Sequence, residues 1–129
     1  MPFDGGELDG VARVAAFRRH PTLAGLSWLL RHREEWPAGF RWDCAYPSSC
    51  AMGLAYRAVH GHRMVDFRGY REWVEGAFGL ASWESCGLFY YRHVDRRGWR
   101  HPFLSVWSPM SLVYPGDVAD AIDRYLGVG

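Results

Sequence analysis

The sequence predicts a mainly α-helical fold, a compact bundle of five to six short helices with one small β-hairpin or irregular aromatic insert. Three observations predict it. Apolar residues recur at helical spacing in stretches of about ten to fifteen residues. Proline and glycine stand at the places where such stretches would start and stop. Only Leu88 to Trp107 breaks the pattern, with an aromatic run on each side of Asp95-Arg96-Arg97-Gly98.

After a loose N-terminus over residues 1–6, Glu7 to about Arg19 places Leu8, Val11, Val14, Ala15 and Phe17 near helical spacing. His20-Pro21 interrupts it. Pro21 suits the first position of a second helix, to about Glu35, because that position has no hydrogen bond for its missing N–H to break. Leu23, Leu26, Leu29 and Leu30 fall on one side of this helix, with Arg31, Arg33 and Glu34 toward water. Pro37 ends it, and Trp36 to Arg41 reads as a short aromatic loop containing Gly39.

Trp42 to His60 is the stretch around which the rest is organised. Ser48 or Ser49 can cap a helix from about Cys50 to His60, and Gly61 supplies its left-handed stop. Ala51, Gly53, Ala55 and Ala58 are small, so a neighbour can come close, which marks a central helix. A further helix runs from Arg63 or Asp66 to Phe78 and closes at Gly79. Ser82 can cap the next, to about Phe89, with Glu84 where negative charge suits the helix dipole. A hairpin turning at Asp95–Gly98, or a structured loop, fills the insert over residues 90–113, and Pro102 confines a second strand to an edge. Pro115 opens the last helix, with Val118, Ala119, Ile122 and Leu126 as its apolar stripe. Asp117, Asp120 and Asp123, like Asp4, Glu7 and Asp9 at the other end, read as solvated faces.

The elements Cys50–Ala55 (CAMGLA), Ala77–Phe89 (AFGLASWESCGLF) and Pro115–Asp123 (PGDVADAID) resemble a set of small bacterial proteins to which no activity is attached. The resemblance covers most of the chain after Trp36 and carries no catalytic residue with it.

A chain of 129 residues is expected to form one domain. The net charge of +1 gives no general attraction to nucleic acid or anionic membrane. All 15 basic residues are Arg, and Lys, Asn and Gln are absent, the imprint of a GC-rich genome and so of a bacterial or phage origin. With three cysteines, no secretory signal pattern and no apolar run of membrane-span length, a cytoplasmic location with reduced thiols is expected.

Metal chemistry is the first idea that Cys44, Cys50, His60 and His62 raise. Their C-x5-C and H-x-H spacings miss the usual zinc windows, and a helix separates residues 50 and 60 by about 15 Å. A site built from Cys44, Cys50 and Cys86 with a distant His competes with ordinary buried thiols, and no metal or cofactor is expected. Cys50 at a helix N-terminus is a candidate thiol nucleophile, since the free N–H groups there stabilise a thiolate. Asp43-Cys44 and the CAMGLAY run resemble the helix start of papain-like and related cysteine peptidases. His60 is too far to serve as base, which leaves His93 or His101.

Val74, Phe78, Gly79, Leu80 and Leu88 fit a helix-turn-helix pattern, but Glu75 stands where Ala is usual and Ser85 where a branched apolar residue packs. The second helix, Ser82–Phe89, has no Arg and carries Glu84, the wrong charge for phosphates.

The leading expectation is a non-enzymatic macromolecule-binding module, a small regulator, inhibitor or assembly factor. Its contact residues would be Tyr90, Tyr91, Arg92, Arg96, Arg97, Trp99, Arg100 and Trp107, because Arg beside aromatic rings is the composition of binding hot spots. Near-neutral charge favours a protein partner over nucleic acid. Such a segment can equally be a solvated turn whose rings fold back on the helices. A Cys50-dependent thiol hydrolase or transferase is the alternative, and a helix-turn-helix DNA binder the second.

Overall fold

The computed structural model describes residues 10–43, 49–63, 69–89, 99–100, 107–108 and 114–127. Six α-helices lie among them: α1 (Gly10–Arg19), α2 (Leu23–Arg31), α3 (Ala51–His60), α4 (Gly69–Phe78), α5 (Ser82–Phe89) and α6 (Pro115–Leu126). They pack as a mainly helical bundle, as expected. None is long and apolar enough to cross a membrane.

Several boundaries differ from the sequence reading, each for a local hydrogen-bonding reason. Thr22, not Pro21, starts α2: its hydroxyl accepts the Gly25 N–H at 3.0 Å, so Pro21 stays outside the helix. The same helix stops at Arg31 rather than Glu35. Two side chains take its last carbonyls, His32 Nδ1 donating to Trp28 at 2.7 Å and the Trp36 indole N–H to Leu29 at 2.7 Å, and the chain tightens into a 3-10 turn over Arg33–Glu35. Trp36 then meets Phe40 edge-on and lies near Trp42, which forms the aromatic loop.

Cys50 itself holds the cap position of α3 in an extended conformation and makes no side-chain cap bond. Ser49 uses its carbonyl to accept the Asp43 N–H at 2.8 Å, and Ser48 lies outside the described residues. Gly61 ends α3 with φ 85°, as its left-handed role requires. Its small residues are buried, and α3 packs against α1, α2 and α4. Ala81 precedes α5, its N–H bound by Glu84 Oε1 at 2.7 Å, so Ser82 is not the cap. Asp117 does the same for α6, accepting the Tyr114 N–H at 2.8 Å.

The most extensive helix contact joins α2 to α6. Leu26, Leu29 and Leu30 meet Val118, Ala119 and Ile122 within a core that also takes Met52, Leu54, Tyr70, Val74, Leu88 and Phe89. Each buried Val, Leu, Ile, Met or Phe side chain among them contributes about 1.5–3 kcal/mol by leaving water. Among the described residues the core is mainly aliphatic, with Phe17, Tyr70 and Phe89 its buried rings and Trp28, Trp36, Trp42 and Trp73 packed around it. Asp120 and Asp123 are not simply solvated: both accept from Arg31, at 2.7 and 2.9 Å, and so turn toward α2.

A short antiparallel ribbon pairs β1 (Trp99–Arg100) with β2 (Trp107–Ser108). Their pairing requires a reversal between Arg100 and Trp107, and the expected turn at Asp95–Gly98 lies outside the described residues. Residues 1–9, the expected loose terminus among them, lie outside the described residues.

Candidate functional site

Of the eight expected contact residues, the backbones of Trp99, Arg100 and Trp107 are placed. Tyr90, Tyr91, Arg92, Arg96 and Arg97 lie outside the described residues, as do His93 and His101. The register sets Arg100 directly opposite Trp107, and Trp99 opposite Ser108. Opposed positions of an antiparallel pair fall on one face of the ribbon. Phe89, before the segment, is buried, and Tyr114, after it, is 56% exposed.

Cys50 is 2% exposed and stands at the cap of α3. The helix N-terminus that would stabilise a thiolate is present, but the sulfur does not face solvent. His60 is at the other end of the same helix, stacked on Tyr56 with ring centroids 4.0 Å apart. Cys44 lies outside the described residues. No three His, Cys, Asp or Glu side chains gather to hold an ion among the described residues.

The helix-turn-helix outline exists as a helical hairpin of α4 and α5, with Gly79 at φ 68° between them. Its two departures from the pattern prove to be partners. Glu75 Oε2 accepts from the Ser85 hydroxyl and from Arg71 Nε at 3.0 Å, so the carboxylate that replaces a small residue is satisfied by the hydroxyl that replaces an apolar one. The Ser85 hydroxyl first, and then Arg71, hold the Glu75 carboxyl below the usual carboxylate range. Arg71 also donates to the Ser82 hydroxyl. On α5, Glu84 accepts from the Tyr125 phenol, which lowers its carboxyl and raises the phenol. Trp83 projects outward from α5 with 70% of its surface exposed. The outward side of this helix offers an indole and a serine, and no basic group to meet phosphate.

No family model, curated protein or solved structure matches the chain.

One cluster escaped the sequence reading. Tyr56 sits edge-on to Tyr70 and Trp73, at 5.5 and 5.2 Å, while His60 stacks on it and meets Trp73 at 5.3 Å. His62 joins the edge of Tyr56 at 6.0 Å. The Nδ1 atoms of His60 and His62 each lie against a backbone carbonyl, at 3.1 and 2.8 Å, and a carbonyl only accepts, so each Nδ1 donates. The i,i+4 spacing of Tyr56 and His60 was the available signal. The cluster ties the end of α3 to α4, and its rings serve that packing.

Proposed function

We propose that the protein is a non-enzymatic module that binds another macromolecule, a protein, through the segment of residues 90–107. The observation that carries this reading is the ribbon register, in which Arg100 stands opposite Trp107. An Arg and an indole at paired positions, in a segment that also contains Arg92, Arg96, Arg97, Tyr90 and Tyr91, form the residue set that dominates binding hot spots. Exposed Tyr114, seven positions beyond the segment in sequence, is of the same residue class. A net charge of +1 supports a protein partner over a polyanion. A small regulator, inhibitor or assembly factor in a bacterium or phage fits such a surface. The buried position of Cys50 speaks against the thiol hydrolase alternative, and the absence of basic groups on α5 against the DNA-binding one.

The test is capture from host lysate by the tagged chain, identification of the bound protein, and titration of that purified protein against the wild type and the Arg96→Ala/Arg97→Ala variant. The variant is expected to keep its far-ultraviolet dichroism and to bind at least about tenfold more weakly, the scale of losing charged hot-spot contacts. Equal affinity would remove the segment from consideration. Loss of capture after nuclease treatment would replace the protein partner by nucleic acid.

A further inference from the structure

We propose that His60 and His62 hold one borderline transition-metal ion, Zn²⁺ or a neighbour in its series, through their Nε2 atoms, with water in the remaining positions. His60 is the last residue of α3, and Gly61, left-handed at φ 85°, turns the chain so that the exposed ring of His62 comes back beside it, with centroids 6.3 Å apart. The two rings are held in the same way. Each Nδ1 donates to a backbone carbonyl, that of Tyr56 for His60 and that of Arg63 for His62. A ring so fixed directs its Nε2 corner away from that carbonyl, with a lone pair available whenever the ring is neutral. Among the described residues neither Nε2 has a partner. An imidazole whose other nitrogen donates to a backbone carbonyl is the form in which proteins present histidine to a metal.

Two further features suit a cation. The carbonyls at the end of α3 carry the negative end of the helix dipole, which favours positive charge beside its last residue. Ring contacts hold His60 against Tyr56 at 4.0 Å and Trp73 at 5.3 Å, so one ligand is already fixed while the other, beyond the helix end, can adjust. Metal–nitrogen bonds of about 2.0–2.1 Å put two imidazole centroids about 5 Å apart at a tetrahedral angle, so the observed separation has to close by about 1 Å, within the swing of one exposed side chain. Imidazole selects ions such as Zn²⁺, Ni²⁺ and Cu²⁺ over Mg²⁺ and Ca²⁺, which take oxygen ligands. Both histidines lie outside the segment of residues 90–107, so this site and macromolecule binding stand or fall apart.

The test is a titration of the isotope-labelled full chain with zinc chloride, followed by long-range proton–nitrogen spectra of the imidazole rings. The Nε2 resonances of His60 and His62 are expected to move together along a single-site curve, while magnesium chloride moves neither. His60→Gln and His62→Gln should each weaken zinc at least about tenfold, because either ring alone loses the second ligand held beside it. Calorimetry on each variant measures this, with dichroism as the control for folding. The His60 ring also packs on Tyr56, so the wild-type spectra and His62→Gln carry the test if His60→Gln does not fold. Zinc binding that fails to saturate by about 1 mM, movement of only one of the two rings, or binding with both Nε2 resonances unmoved would each overturn the proposal. So would an affinity unchanged in His62→Gln, which would assign the ion to the thiols or to the other histidines.

Discussion

Ser27 and Asp123 join the two most extensively packed helices through one hydrogen bond, the hydroxyl of α2 donating to the carboxylate of α6 at 2.6 Å. Arg31, one turn further along α2, donates to the other oxygen of the same carboxylate and to Asp120. The hydroxyl is buried and the guanidinium is not, and that difference ranks their effects.

Ser27→Ala is expected to destabilise the fold by about 1–2 kcal/mol, because it withdraws a buried donor from a carboxylate. Arg31→Gln should cost less than about 1 kcal/mol, since ion pairs this exposed are weakened by solvent and side-chain entropy. Urea midpoints at low and high salt check both: the Arg31 effect should shrink with salt and the Ser27 effect should not.

Glu75 makes stability depend on acid. Its carboxyl is held below the usual range by Ser85 and then Arg71, so the unfolded chain takes up the proton more readily than the folded one. The stabilisation is therefore complete above the ordinary Glu value of about 4.3 and is lost as pH falls through the lower folded value. Glu75→Gln should be less stable than wild type at neutral pH, and the gap should narrow on acidification. Thermal melts from pH 7 to pH 3 test this, and a gap that is constant across the series would contradict it.

Two glycines should resist substitution for opposite reasons. At Gly61, φ is 85° and nothing lies within 4 Å of an added Cβ, so Gly61→Ala should cost about 1–2 kcal/mol from backbone strain alone. Gly61→Asn should recover part of it. Gly25 lies inside α2, where Ala favours the helix by about 1 kcal/mol, yet its Cβ would press on buried Phe17. Overpacking of about 1–3 kcal/mol should outweigh that gain. Phe17→Leu should relieve Gly25→Ala and leave Gly61→Ala unchanged, a contrast that double-mutant melts resolve.

Cys50 should react with iodoacetamide slowly in the native protein and at the ordinary thiol rate in urea, because its side chain is buried under the start of α3. Peptide mapping after timed alkylation follows it. Fast native labelling well below pH 8.5 would mark an activated thiolate and restore the thiol enzyme as a reading.

How far the sequence could be read depended on how local each cause was. Gly61, Gly79 and Pro115 act on their own backbones, and the helix ends beside them were legible. Thr22 beat Pro21 as the start of α2 through a hydroxyl contact three residues ahead, and Ser48 and Ser49 looked like better caps than Cys50 because cap preference ignores what the neighbouring chain needs. The Ser27–Asp123 bond spans 96 positions of sequence and has no periodic signature, so Asp123 read as a solvated face. Glu75 and Ser85 were each visible as a misfit to a helix-turn-helix pattern, but only the packing of α4 on α5 shows that they answer one another. In the insert, the ladder requires a reversal between Arg100 and Trp107 for which the sequence between them offered no turn signal that was read.

The leucines of α2 find their main cover in α6, whose first residue follows the last residue of α2 by more than eighty positions. A ribosome emits α2 long before anything exists to shield it. Until Val118 and Ile122 emerge, those side chains remain wet or borrow temporary company, so assembly of the bundle waits until α6 has been made. A stop codon placed after the insert would thus leave the early helices without their lid and deliver them to chaperones and proteases.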